Sequence, residues 1–241
     1  MSVPSEGKAV IWLELSRKFH SNLSLALTQE AKLVSRAEIQ ARAIPVVARI
    51  LSEEQGLTDW QRDALCMFDE IFADITCSIY LGACGLDKPA QAILRRALEV
   101  GAATVYLWDL PHVFWGWKEH DRDLNFNEML EHFSNPGFIS SVKRQNPTFA
   151  KMEMMDASLA RSLYRNLSNI VHGKMKSFES LLPDKFQHNQ DDWRLHLERV
   201  CNVERVLLEL WNDRFASVSK RLNSELPQLW MKETENHEPT G

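Results

Sequence analysis

Phosphate chemistry needs a fixed cation for the developing charge and a group that exchanges protons near neutral pH. Arginine and histidine supply these two functions. Both occur in one short stretch, Leu163-Tyr164-Arg165-Asn166-Leu167-Ser168-Asn169-Ile170-Val171-His172-Gly173-Lys174. A helix turns about 100° per residue, so Arg165 and His172 are predicted to lie within roughly 20° of each other. Arg161 and Asn169 fall on the same side, while Leu159, Leu163, Leu167 and Ile170 form the apolar stripe opposite.

A plainer reading stands beside it. With 8 histidines and sixteen arginines in 241 residues, an Arg followed by His five to seven positions later occurs by chance about once or twice. A histidine near the C-terminal end of a solvated helix face also suits the helix dipole. The neighbours sharpen the functional reading: an amide follows the arginine, a glycine follows the histidine, and both charged groups lie off the apolar stripe.

The elements that must carry this face are helices. The composition is 44% hydrophobic with only 9 glycines, which favours helices over many turn-linked strands. Residues 8–52 read as one long helix or two stacked ones, with Trp12, Leu15, Phe19 and Leu23 on one face and a kink or break at Pro45. Thr58 and Asp59 cap a helix running to about Ala83, ended near Gly82 and Gly85. A third helix starts at Asp87-Lys88-Pro89 and runs to Trp108, stopped by Pro111. Residues 111–155 are punctuated into short helices by Pro111, Pro136, Gly137 and Pro147. The motif helix spans 156–173. After a loop through Pro183, a long helix covers 190–224, packed by Trp193, Leu197, Val200, Leu207, Leu208, Trp211, Phe215 and Val218. Residues 1–231 are expected to form a single domain, and the polar stretch 232–241 a disordered tail.

On the third helix Arg95, Glu99 and Tyr106 share one strip. Arg95 and Glu99 form an ordinary i,i+4 ion pair, or Glu99 reaches the motif helix and orients Arg165 or His172. The cluster His112, Glu119, His120, Glu128, Glu131 and His132 is dense but lacks the spacing of helix-borne metal ligands, so no metal site is expected. Phe114-Trp115-Gly116-Trp117 either stacks on bases or packs its segment against the core or a dimer interface. No dinucleotide, nucleoside-triphosphate or serine-hydrolase motif is present, and no cofactor is expected.

The net charge of −5 and pI near 5.9 argue against a broad basic surface for duplex DNA. They leave room for a local cationic patch made by Arg161, Arg165, His172, Lys174 and Lys176, with the two lysines as substrate contacts. Cys66, Cys77, Cys84 and Cys201 have no zinc-ligand spacing and read as buried reduced thiols. The first residues lack the architecture of a secretion signal, and no apolar run spans a bilayer. A soluble cytoplasmic protein without membrane contact is the expectation.

The Arg-Asn-(five residues)-His-Gly pattern resembles the Arg-polar-x-His signature of the HEPN superfamily. Ile93-Leu94-Arg95-Arg96-Ala97-Leu98-Glu99 is similar to a Leu-Arg-x-x-x-Glu segment of bacterial HEPN-like families, and Leu167 to Gly173 is similar to their Leu-Ser-x-x-Val-His-Gly. The similarity covers these two segments. It implies an all-α fold, an up-and-down helical bundle of HEPN type with long N- and C-terminal helices. It also implies a homodimeric, metal-independent endoribonuclease of the toxin or antiviral kind, acting on RNA and leaving 2′,3′-cyclic phosphate and 5′-hydroxyl ends. The catalytic residues would be Arg165, holding a phosphate oxygen, His172, moving the proton, and Asn166 and Asn169, positioning substrate or side chains, with Glu99, Arg95 and Arg161 in support. A cognate antitoxin or defence-system protein would be a partner. Members of the superfamily that have lost catalysis imply the alternative, a non-catalytic binding protein.

Overall fold

The computed structural model describes residues 10–171 and 186–230. His172, Gly173, Lys174, Lys176, the loop through Pro183 and the 232–241 tail lie outside these residues. Every regular element among the described residues is a helix.

Helices α1 (Val10–Thr28) and α2 (Ala31–Ser52) are separate, and the division falls at Glu30 rather than at Pro45. Glu30 takes a left-handed conformation (φ 54°), which ends one helix and starts the next. Pro45 sits exposed inside α2 while Ile44 and Val47 beside it are buried. Burial on that inner face holds the helix through a residue that cannot donate a backbone hydrogen bond. The expected buried face of α1 is corrected as well. Trp12 is 71% exposed, and Leu15, Phe19 and Leu23 are half-buried.

Helices α3 (Asp59–Ala64) and α4 (Cys66–Ala83) follow almost without interruption. The Thr58 N–H donates to Gln61 Oε1 at 3.1 Å, and Gly85 (φ 80°) turns the chain after α4. The central α5 (Asp87–Asp109) leads into α6 (Pro111–His120), α7 (Phe126–Phe133) and α8 (Pro136–Gln145). Asn125 and Asn135 cap the last two by accepting backbone N–H bonds. Helix α9 is described over Ala157–Val171. The expected single C-terminal helix is two, α10 (Gln190–Arg214) and α11 (Ala216–Glu225), followed by a 3₁₀ turn at Pro227–Trp230. Phe215 is extended (φ −107°, ψ 112°) because its ring packs in the core, T-shaped on Trp108.

Contacts along the helices fix their directions. Gln91 meets Arg199, Gly101 meets Leu207, and Thr104 meets Trp211, so α5 and α10 run parallel. Ser78 meets His196 and Phe68 meets Trp211, so α4 runs antiparallel to α10. Helix α2 runs with α10 and α11, from Leu33 on Cys201 to Arg49 on Glu225. One apolar core draws side chains from all eleven α-helices of the described residues, and the eight residues expected to pack the C-terminal helix are all buried in it. Both buried tryptophans of α10 satisfy their indole N–H: Trp193 donates to the Ala26 carbonyl (3.2 Å) and Trp211 to Thr104 Oγ1 (2.8 Å).

Two titratable side chains lie inside this core. His196 packs against Gly82, where an added Cβ would come within 2.5 Å of its Cδ2. Burial pushes its pKa down to about 4. Glu204 is fully buried and neither carboxyl oxygen has a hydrogen-bond partner among the described residues. Burial raises its pKa well above the usual carboxylate range, with Arg36 opposing from a distance. The cysteines also depart from expectation: Cys84 and Cys201 are buried, but Cys66 and Cys77 are exposed, and all four are free thiols. No described helix is long and apolar enough to cross a membrane.

Candidate functional site

Helix α9 begins where Asp156 Oδ1 accepts the Leu159 N–H at 2.9 Å. Its inner face is Ala160, Leu163 and Leu167, all buried in the core against α5 and α10. Of the apolar stripe expected from the sequence, Leu163 and Leu167 are buried, Leu159 is half-buried at the edge, and the Ile170 side chain lies outside what is described. Because that face is committed to the core, the polar positions must turn outward. Arg161, Arg165 and Asn166 are exposed and Asn169 is half-buried.

Arg161 and Arg165 stand four residues apart, which places their cations on adjacent turns. Neither has an ion pair or side-chain hydrogen bond among the described residues. Elsewhere, Arg199 and Arg205 donate to the amides of Gln91 and Asn202 rather than to a carboxylate. Arg95, Arg96, Arg194, Arg214 and Arg221 each hold a carboxylate. Like charges at this spacing repel by a few tenths of a kcal/mol, so the pair is mildly unfavourable until an anion lies between them.

Beneath this face, α5 and α9 are joined by a layered contact. Glu99 accepts from Arg95 Nη2 at 2.9 Å, and the same nitrogen donates to Tyr164 Oη at 2.8 Å. The guanidinium carbon lies 4.8 Å from the centre of the Tyr164 ring, whose other contact is Phe126, stacked at 4.5 Å and 12°. Burial disfavours the Arg95 charge, but Glu99 and Tyr164 outweigh it and its pKa is raised. Glu99 thus forms the i,i+4 ion pair with Arg95, and it is Arg95 that reaches the motif helix, at Tyr164. Among the described residues no bond joins Glu99 to Arg165 itself.

Tyr106, third on the α5 strip, is buried and meets His132 edge-on at 5.3 Å. His132 in turn packs on Phe138 at 4.2 Å, so this histidine of the dense His/Glu segment belongs to an aromatic cluster. Among the described residues no group of His, Cys, Asp and Glu is arranged to hold a metal ion. Of the aromatic run, Phe114 is buried, Trp115 packs on it at 5.2 Å against the core, and Lys118 caps both rings, whereas Trp117 is exposed. No family model, curated protein or solved structure matches this chain.

Sequence reasoning missed Tyr164 and Phe126. Tyr164 lies between Leu163 and Arg165 on the wheel, at the edge of the stripe. Its hydroxyl needs a polar partner and its ring an apolar one. Arg95, at an edge position of its own helix, supplies the first, and Phe126 the second.

Proposed function

We propose that the chain is a HEPN-type, metal-independent endoribonuclease that works in the cytoplasm as a homodimer, in a toxin or antiviral setting. The observation that carries this reading is the outward pair Arg161 and Arg165, cations four residues apart with no carboxylate on either among the described residues. A phosphodiester strand supplies the missing anion, and the planar guanidinium of Arg165 holds two of its oxygens. Asn166 beside it offers both donor and acceptor to the same strand.

In this mechanism the RNA 2′-oxygen attacks phosphorus, the P–O5′ bond breaks, and the charge gathering on the equatorial oxygens is compensated by Arg165. His172 transfers the proton, from the attacking hydroxyl or to the leaving 5′-oxygen. One Arg–His pair cannot do both at once. A twofold pairing of α9 faces doubles each group around a shared strand, with Lys174 and Lys176 as further phosphate contacts. The layer of Glu99, Arg95 and Tyr164 fixes the helix turn that bears Arg165.

One observation favours the alternative, a non-catalytic HEPN-like adaptor or antitoxin-type partner. Arg165 is exposed and no side chain among the described residues orients it, which suits binding more than catalysis. The experiment that separates the two is incubation of purified wild type and His172→Ala with mixed RNA in EDTA. Cleavage to 2′,3′-cyclic ends by the wild type, lost in the variant at unchanged melting temperature, supports the nuclease. Equal cleavage by both, or none by either with RNA still bound, overturns it.

A further inference from the structure

Away from α9, a cavity of about 470 Å³ opens beside the C-terminal end of α5, lined by Asp109, His132, Asn135, Phe138, Ser141 and Gln145. Its size is that of a small-molecule site. A second cavity of about 270 Å³, lined in part by Arg214 and Phe215, shares Gln145 with it.

The wall carries little net charge. Asp109 is held by the Arg214 fork, with Nε 2.8 Å from Oδ2 and Nη2 on Oδ1. Burial lowers the His132 pKa, with Asp109 opposing and Arg214 assisting, so the imidazole is neutral at pH 7. A charged ligand gains nothing here that a neutral one does not. The polar groups left over are specific. Asn135 Oδ1 is occupied by the N–H groups of Gly137 and Phe138, which leaves Nδ2 as a donor. Gln145 Nε2 donates to Ser141 Oγ at 3.2 Å, which leaves Oε1 as an acceptor. His132 Nε2 is buried and has no partner among the described residues, although its ring is fixed by Phe138 and Tyr106. That nitrogen is sealed from solvent, so His132 senses an occupant through its ring on the cavity wall rather than through a bond to Nε2.

We infer that this cavity binds an uncharged planar heteroaromatic ligand with an N–H beside a C=O, the chemistry shared by free nucleosides and by the unpaired bases of a strand. The flat ring lies along Phe138, its N–H meets Gln145 Oε1, and its carbonyl meets Asn135 Nδ2. The substituent on the ring extends toward the second cavity past Gln145. A saccharide offers hydroxyls but no flat face, and is the control. The inference does not depend on cleavage by α9.

The test uses the full chain labelled with ¹⁵N-histidine, the His132 signal being assigned with His132→Gln. Uridine, guanosine, a short oligouridylate and methyl glucoside are titrated separately, with calorimetry on wild type and Gln145→Ala in parallel. Gln145 is exposed and bonds only Ser141 among the described residues, so its truncation leaves the fold intact. The expected result is saturable binding of a nucleoside that shifts the His132 ring nitrogen and weakens about tenfold in Gln145→Ala. A shift with the oligonucleotide alone assigns the site to a strand rather than a free nucleoside. The inference is overturned if neither moves His132, if Gln145→Ala binds as well as wild type, or if the glucoside binds equally.

Discussion

Glu204 offers the most direct test of how this core is held together. Its carboxyl is fully buried on α10, both oxygens lack partners among the described residues, and its pKa is raised by burial. The folded chain therefore keeps a proton that the unfolded chain releases once pH exceeds the ordinary glutamate value. Between that value and the raised one the native state binds more protons, so stability falls as pH rises, by about 1.4 kcal/mol for each pH unit at the limit. Glu204→Gln preserves the shape of the protonated acid and cannot ionise. It should match wild type near pH 5 and exceed it near pH 8. Glu204→Leu also removes the unpartnered oxygens, each costing about 1–3 kcal/mol when buried, and should be more stable at both. A chain of this size gains about 2–4 °C in Tm for each kcal/mol. Thermal melts of the three proteins across this range, read by circular dichroism, give the slopes. Parallel slopes for wild type and Glu204→Gln would refute the reasoning, as would destabilisation by leucine.

Gly82→Ala drives a Cβ into the His196 ring, which is held at Ser78, and should cost about 1–3 kcal/mol; an unchanged urea midpoint would contradict the packing described. Pro45→Ala restores a donor in the middle of α2 and should stabilise by up to about 3 kcal/mol, checked by the same midpoint, with any loss counting against a continuous α2. Tyr164→Phe removes the acceptor of Arg95 while keeping the stack on Phe126, with an expected loss of about 1 kcal/mol in a denaturation curve. If the chain cleaves RNA, Arg165→Lys should slow it by about two orders of magnitude, roughly 2–3 kcal/mol, because lysine keeps the charge without the fork. Equal rates would reduce Arg165 to long-range charge.

The helical class, the α3–α4 cap at Thr58 and the stop at Pro111 were legible because each depends on local chemistry. The same holds for the inner stripe of α9, where Ala160, Leu163 and Leu167 repeat at the helical period. The misplaced breaks have a common cause. Pro45 is a strong local signal overruled by burial of Ile44 and Val47, whereas Glu30 and Phe215 carry no breaker signature and turn because of distant partners. Cys66 and Cys77 lie outside the core although α4, which carries both, is apolar, since a helix packed on its neighbours still leaves a strip to solvent. At the site, the outward placement of Arg161 and Arg165 followed from the stripe. The route from Glu99 through Arg95 to Tyr164 did not, because it depends on how α5 and α9 cross.

The pairing of α2 with α10 and α11 also sets an order of events during synthesis. Arg49 closes on Glu225 and Arg221 on Glu53, so α2 is sealed by residues made 168 to 176 positions later. At ribosomal speeds of about 5–20 residues per second, the apolar side of α2 waits on the order of ten seconds or more for its cover. A chain released early would present Ala37, Ile44, Val47 and Leu51 to its neighbours. Quality-control binding should therefore fall most heavily on nascent and truncated forms of this protein rather than on the finished fold.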